Sequence, residues 1–159
     1  MKRKFTRKEI LITVACVLLL ACCFLLRPYV VVGDSMGPTY AEGQTVIIEK
    51  FTPHLAVWRG EVLVIRNPHD HTVDDIKRVV GLPNEDVILG QNTVTVVPPD
   101  GDTETLGPPV GQPDTGFFEM KLGPADYMVL GDNRSKSTDS RSFGAVQAPD
   151  IIGHVIMTL

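Results

Sequence analysis

Cysteine is missing from residues 27–159; the chain's three, Cys16, Cys22 and Cys23, all precede that stretch. The longer part of the chain therefore has no disulfide framework and no thiol nucleophile. Clustered positive charge is missing there too: 10 basic side chains face 18 acidic ones, a net of −8. Such a body is a poor partner for nucleic acid, whose phosphates need grouped Lys and Arg. No long helix-period run and no internal repeat occurs after residue 26. At 159 residues the chain has room for one compact domain.

Charge is concentrated at the start instead. Residues 1–9 hold five basic residues and Glu9, a net of +4, and residues 10–26 carry no charge. As a helix, those 17 residues span roughly 25 Å, at the short end of what crosses a bilayer. A cleaved secretory signal would end in a small-x-small site, but the run meets Arg27-Pro28. Leu19-Leu20-Ala21-Cys22 loosely resembles a lipoprotein signal, yet an apolar segment follows in place of a polar tether. A buried helix of a soluble domain would show polar residues at helical spacing. An uncleaved transmembrane anchor fits best, with residues 1–9 cytoplasmic and 27–159 extracytoplasmic. The lipid bilayer is then one expected partner, and the cysteines are small apolar residues facing it.

Short β-branched runs recur at 29–32, 45–48, 61–65, 76–80, 86–89, 93–97, 127–130 and 151–158, separated by turn residues. That pattern predicts a mainly β domain, a coiled antiparallel sheet or partial barrel, over 27–159. Residues 98–116 contain five prolines and four glycines and predict an exposed loop insertion.

Three segments could carry chemistry. Gly33-Asp34-Ser35-Met36-Gly37-Pro38-Thr39 can present the Ser35 hydroxyl on a tight bend, although Gly-Asp-Ser clusters commonly just make turns. A serine hydroxyl needs a base. The histidines are His54, His69, His71 and His154, and His69-Asp70-His71 reads as a surface turn matching no strong metal motif. No metal or cofactor is expected. The other candidate base is Lys77, in the apolar strand Ile76-Lys77-Arg78-Val79-Val80-Gly81. Alternation puts Lys77, Val79 and Gly81 on one face. Burial favours a neutral amine and a nearby carboxylate opposes it, so Lys77 is expected to stand away from acidic groups. The third segment, 131–141, begins where a strand ends and is rich in Ser, Asp and Arg; Asp139 and Arg141 could pair and fix its shape.

In this order, the segments resemble bacterial type I signal peptidases of a short, Gram-positive-like form. The resemblance covers the whole chain: basic tip and anchor, Ser35-Met36-Gly37-Pro38-Thr39, Arg59-Gly60-Glu61-Val62-Leu63-Val64 with Asn67-Pro68, then Ile76-Lys77-Arg78-Val79-Val80-Gly81-Leu82-Pro83. Gly131-Asp132-Asn133-Arg134 through Ser137, Asp139-Ser140-Arg141 and Phe143-Gly144 complete it.

The resemblance implies a Ser/Lys dyad with Ser35 as nucleophile and Lys77 as general base. Ser137 would orient the Lys77 amine, and Asp132, Asp139 and Arg141 would hold the loop. The Ser35 N–H would donate to the oxyanion. Substrates would be exported preproteins, cut after small residues at −3 and −1, with Val31 and Ile76 lining the substrate pockets. Two departures stand out: Gly33 occupies a position where some relatives carry Ser, and Asn84-Glu85 replaces the usual Gly-Asp. A self-cleaving repressor of the same superfamily would lack the anchor, and eukaryotic-type members place His where Lys77 stands. The remaining alternative is a membrane-tethered relative that is non-catalytic or dedicated to specialised substrates such as pilins.

Overall fold

The computed structural model describes residues 6–50, 57–90, 93–106 and 117–159, leaving out the side chains of 18–23. His54, the three basic residues at 2–4, the side chains of Cys22 and Cys23, and most of the predicted loop insertion (107–116) lie outside the described residues.

Helix α1 (Arg7–Leu25) follows a reciprocal cap: the Glu9 amide donates to Thr6 Oγ1 at 3.3 Å, and the Thr6 amide donates to Glu9 Oε2 at 2.7 Å. Where the uncharged run extends to residue 26, the helix stops at Leu25, and Leu26 opens a strand. Among the described residues no helix is long and apolar enough to cross a membrane.

The body is mainly β, built on a curled antiparallel sheet. Its strands are β1 (Leu26–Val30), β2 (Thr45–Glu49), β3 (Val62–Arg66), β4 (Asp74–Gly81), β5 (Asp86–Leu89), β6 (Val94–Val97), β7 (Glu104–Leu106), β8 (Phe118–Lys121), β9 (Asp126–Leu130), β10 (Val146–Gln147) and β11 (Ile151–Thr158). Seven form one sheet in the order β1-β2-β11-β3-β4-β9-β10, and four form a smaller one, β7-β6-β5-β8. Register shifts in β11 and in β4 mark bulges, which bend a sheet.

Each strand's pattern reports its place. β2 alternates buried and half-exposed positions, so one face is packed. β3 is buried at four successive residues because it lies between β11 and β4 and has apolar clusters on both faces. One cluster joins Val31, Met36, Val46, Ile48, Val62, Val64 and Ile76. The opposite one joins Leu63, Ile65, Val79, Val129, Phe143, Val146 and Ile151. β4 feeds directly into the smaller sheet, and Gly81 marks the junction: a Cβ there would meet Leu122 and Val87 at 2.6 Å. Part of the predicted loop insertion is ordered as β7, which pairs with β6.

Candidate active site

Ser35 lies on a turn after β1. The Gly37 amide donates to the Asp34 carbonyl at 3.3 Å, and the Tyr40 amide to the Met36 carbonyl at 2.9 Å. Met36 is fully buried and anchors the turn in the core, leaving Ser35 partly exposed. Lys77 comes from β4, opposite Leu63 of β3. It is 1% exposed, one of the largest fully buried side chains. Its Nζ lies 3.1 Å from Ser35 Oγ, joining two residues 42 positions apart.

The segment after β9 holds the Ser35 turn from above. The Asn133 amide donates to the Ser35 carbonyl at 2.9 Å. Thr39 Oγ1 donates to Asp132 Oδ2 at 2.5 Å. Lys136 Nζ and Asn133 Nδ2 donate to Asp34 Oδ2 at 2.7 and 3.2 Å. Asp132 is buried and accepts both Arg78 Nε (2.8 Å) and an Arg78 terminal nitrogen (2.7 Å). This bidentate bond raises Arg78 above the ordinary guanidinium range, against the pull of burial.

Asp139 has no exposed surface. It caps the short helix α2 (Ser140–Phe143) by accepting the Arg141 amide, and its carboxylate takes Arg141 Nε at 2.8 Å. Burial pushes this carboxyl up, but hydrogen bonds from Arg141 and the Gly131 amide outweigh it and hold it below the ordinary carboxylate range. Among the described residues, the buried Ser137 Oγ has no hydrogen-bond partner, Lys77 included; it still lies close enough to Asp139 to help lower that carboxyl.

Residues 4–159 match the family described as signal peptidase, peptidase S26. The chain belongs to this family. It is 34% identical over 175 aligned positions to signal peptidase IB of Staphylococcus aureus, covering 98% of this chain and 89% of the relative. It is 32% identical over 142 positions to signal peptidase I of Bacillus licheniformis, covering 85% and 76%. The crystal structure of a signal peptidase I from Enterococcus faecalis V583 is similar in fold, with a TM-score of 0.55 at 23% identity. That likeness covers 64% of this chain and 97% of the other. The chain is thus a bacterial type I signal peptidase, a serine peptidase.

One departure from the signal peptidase pattern has a local reason. Asn84 adopts φ of 66°, a left-handed turn that Gly tolerates freely and Asn better than most residues. Glu85 is then buried, accepting from Arg59 at 2.6 and 2.9 Å and from the Leu82 amide at 2.7 Å.

Two expectations from the sequence meet a different arrangement. Lys77 does not stand clear of carboxylates: its Nζ also contacts Asp75 Oδ1 at 3.2 Å. Residues two apart on a strand share a face, so the signal was present in the sequence at position 75. Val31 and Ile76 are 1% and 2% exposed and pack with Met36 in the core. A cavity of about 360 Å³ beside β1 is lined by Tyr29, Val30, Val32 and Asp74 among others.

The histidines take other places. His154 Nδ1 faces Glu61 Oε2 at 3.1 Å. The His69 and Asp70 amides donate to Asn67 Oδ1 at 2.9 and 3.1 Å, making a surface turn. Asn67 also donates to Asp75 Oδ2 at 2.8 Å, a residue whose part in the site the sequence reading missed.

Proposed function

We propose that this protein removes N-terminal signal peptides from exported preproteins with a Ser35–Lys77 dyad. The observation that carries this reading is the 3.1 Å approach of a buried Lys77 amine to Ser35 Oγ. Ser35 Oγ attacks the carbonyl carbon of the scissile peptide bond while its proton passes to Lys77 Nζ. The tetrahedral intermediate collapses, the C–N bond breaks, and Lys77 returns the proton to the leaving amine. Water then attacks the acyl-enzyme, giving its proton to Lys77, which passes it to Ser35 Oγ as the ester bond breaks. The Ser35 N–H is assigned to the developing oxyanion. Ser137, whose buried Oγ has no hydrogen-bond partner among the described residues, is assigned to orient the Lys77 amine once substrate is bound, and Asp132, Asp139 and Arg141 to the loop that positions it.

Specificity for small residues at −3 and −1 fits an extended peptide laid between β1 and β4, with alternate side chains entering adjacent pockets. Val31 and Ile76 back those pockets from the core. We assign the uncharged run 10–26, including the side chains of 18–23 that lie outside the described ones, as the membrane anchor: as a helix it reaches about 25 Å. The basic residues before it put the N-terminus in the cytoplasm and the peptidase body outside.

The test is to incubate the detergent-solubilised protein with a purified preprotein and read the product's new N-terminus by mass spectrometry. One cut directly after a small-x-small site is expected. Absence of cleavage, or cuts scattered through the mature region, would overturn the reading.

A further inference from the structure

Among the described residues, Lys77 Nζ has two neighbours at bonding distance, Ser35 Oγ at 3.1 Å and Asp75 Oδ1 at 3.2 Å. A lysine side chain has four rotatable stem bonds and holds one position only when several contacts fix it. Asp75 supplies the second contact, and Asp75 is itself held: its other oxygen accepts Asn67 Nδ2 at 2.8 Å. Asn67 is pinned through Oδ1 by the amides of His69 and Asp70. That turn is fixed in its own right, since Asp70 Oδ1 accepts the Thr72 amide at 3.0 Å and Thr72 Oγ1 at 2.6 Å. A relay thus runs from a surface turn through Asn67 and Asp75 to the amine. The polar turn 67–72 gains a purpose that its sequence did not disclose.

We infer that Asp75, clamped by Asn67, is a positioning residue that holds Lys77 Nζ against Ser35 Oγ and sets the pH at which cleavage begins. This rests on the dyad reading above. The amine must be uncharged to accept the Ser35 proton, and an anion beside it favours the protonated form. Asp75's side chain is 21% exposed against 2% for Lys77, so the carboxylate keeps contact with solvent while its partner does not.

Among the described residues, the other charged or titratable groups nearby have other partners, and the exposed imidazoles of His69 and His71 on the turn form no hydrogen bond with Asp75 or Lys77. Tyr29 donates to the Asp74 carbonyl at 2.9 Å, and burial together with Asp74 and Asp75 pushes its phenol up to about 12. Asp74 is exposed and lies opposite Arg66 on β3. On the turn and loop, Asp34 is bound to Lys136, Asp132 to Arg78 and Asp139 to Arg141. Asp75 is the carboxylate that touches the amine.

The test is the pH profile of kcat/KM for preprotein cleavage by the full-length protein in detergent. Asp75→Asn retains an oxygen for Asn67 and offers an amide proton to the neutral amine. Its acidic limb should move down by about one pH unit or more, with a lower plateau in kcat and an unchanged KM. Asp75→Ser removes the same charge with a smaller side chain and should move the limb the same way, so a folding failure in one variant leaves the other to decide. Asp75→Glu keeps the charge and should keep the limb while lowering kcat. An acidic limb that stays in place in both charge-removing variants overturns the inference, even where kcat falls. Lys77→Ala, run alongside, separates the two ideas: cleavage by that variant defeats the dyad itself, whereas an inactive Lys77→Ala with an unmoved Asp75→Asn limb defeats only the role of Asp75.

Discussion

The Gly131 amide donates to the Asp139 carboxylate at 3.0 Å, tying the end of β9 to the start of α2. The same carboxylate holds Arg141, which reaches on to the Arg134 carbonyl at 2.8 Å. One buried acid thereby fixes both ends of the loop that covers Ser35.

Asp139→Ala leaves the largely buried Arg141 without its acid, and breaking a buried pair from one side costs about 3–5 kcal/mol. The loss should appear as a lower urea midpoint. The contribution also depends on pH. Because the folded carboxyl is held below its ordinary range, the native state favours the anion. The stabilisation is present above the unfolded value of about 3.9 and is lost as pH falls through the folded value. Urea melts between pH 5 and 2 should show the difference between wild type and Asp139→Ala shrinking toward the acid end. Parallel curves would assign the stabilisation to something other than this ionisation.

Gly131→Ala tests how tightly the loop sits on the Ser35 turn. A Cβ there would collide with Ser137 Oγ and come within 2.5 Å of the Ser35 carbonyl oxygen. Overpacking of this kind costs about 1–3 kcal/mol. Because the clash falls on the Ser35 backbone, kcat should drop by more than the loss of folded protein accounts for. A variant with full kcat and only a lower Tm would contradict that close approach.

Gly33→Ser addresses the position where some relatives carry a serine. Among the described residues, no atom beyond its chain neighbours lies within 4 Å of a Cβ built there, so the site has room for a side chain. The obstacle is φ of 80°, which a residue with a Cβ adopts at a cost of about 1–2 kcal/mol. Gly33→Ser and Gly33→Ala should therefore lose similar stability. Any kcat gained by Gly33→Ser over Gly33→Ala measures the hydroxyl as an oxyanion donor.

The pairing of Ser35 with Lys77 came from the family resemblance; each stood out as a candidate because it sits in a local pattern, Ser35 on a Gly/Pro turn and Lys77 inside an apolar strand. The strands with a strong β-branched signal were legible for the same reason. β7, β8 and β10 were not, since Glu104–Leu106, Phe118–Lys121 and Val146–Gln147 are only two to four residues long and take their form from the neighbours they pair with. Asp75 was hidden by a general rule, that a basic lysine should avoid anions, although the two-residue spacing placed it on the same face. Asn67 was beyond a sequence reading: its bond to Asp75 depends on how the turn before β4 folds back.

The most direct measurement of the central claim is cleavage of one preprotein by the wild-type protein, Ser35→Ala and Lys77→Ala at equal concentration in detergent, with each variant's fold checked by its thermal melt. The account predicts a single small-x-small cut by the wild type and no detectable product from either folded variant. Cleavage at the same site by a folded Ser35→Ala or Lys77→Ala protein would contradict it.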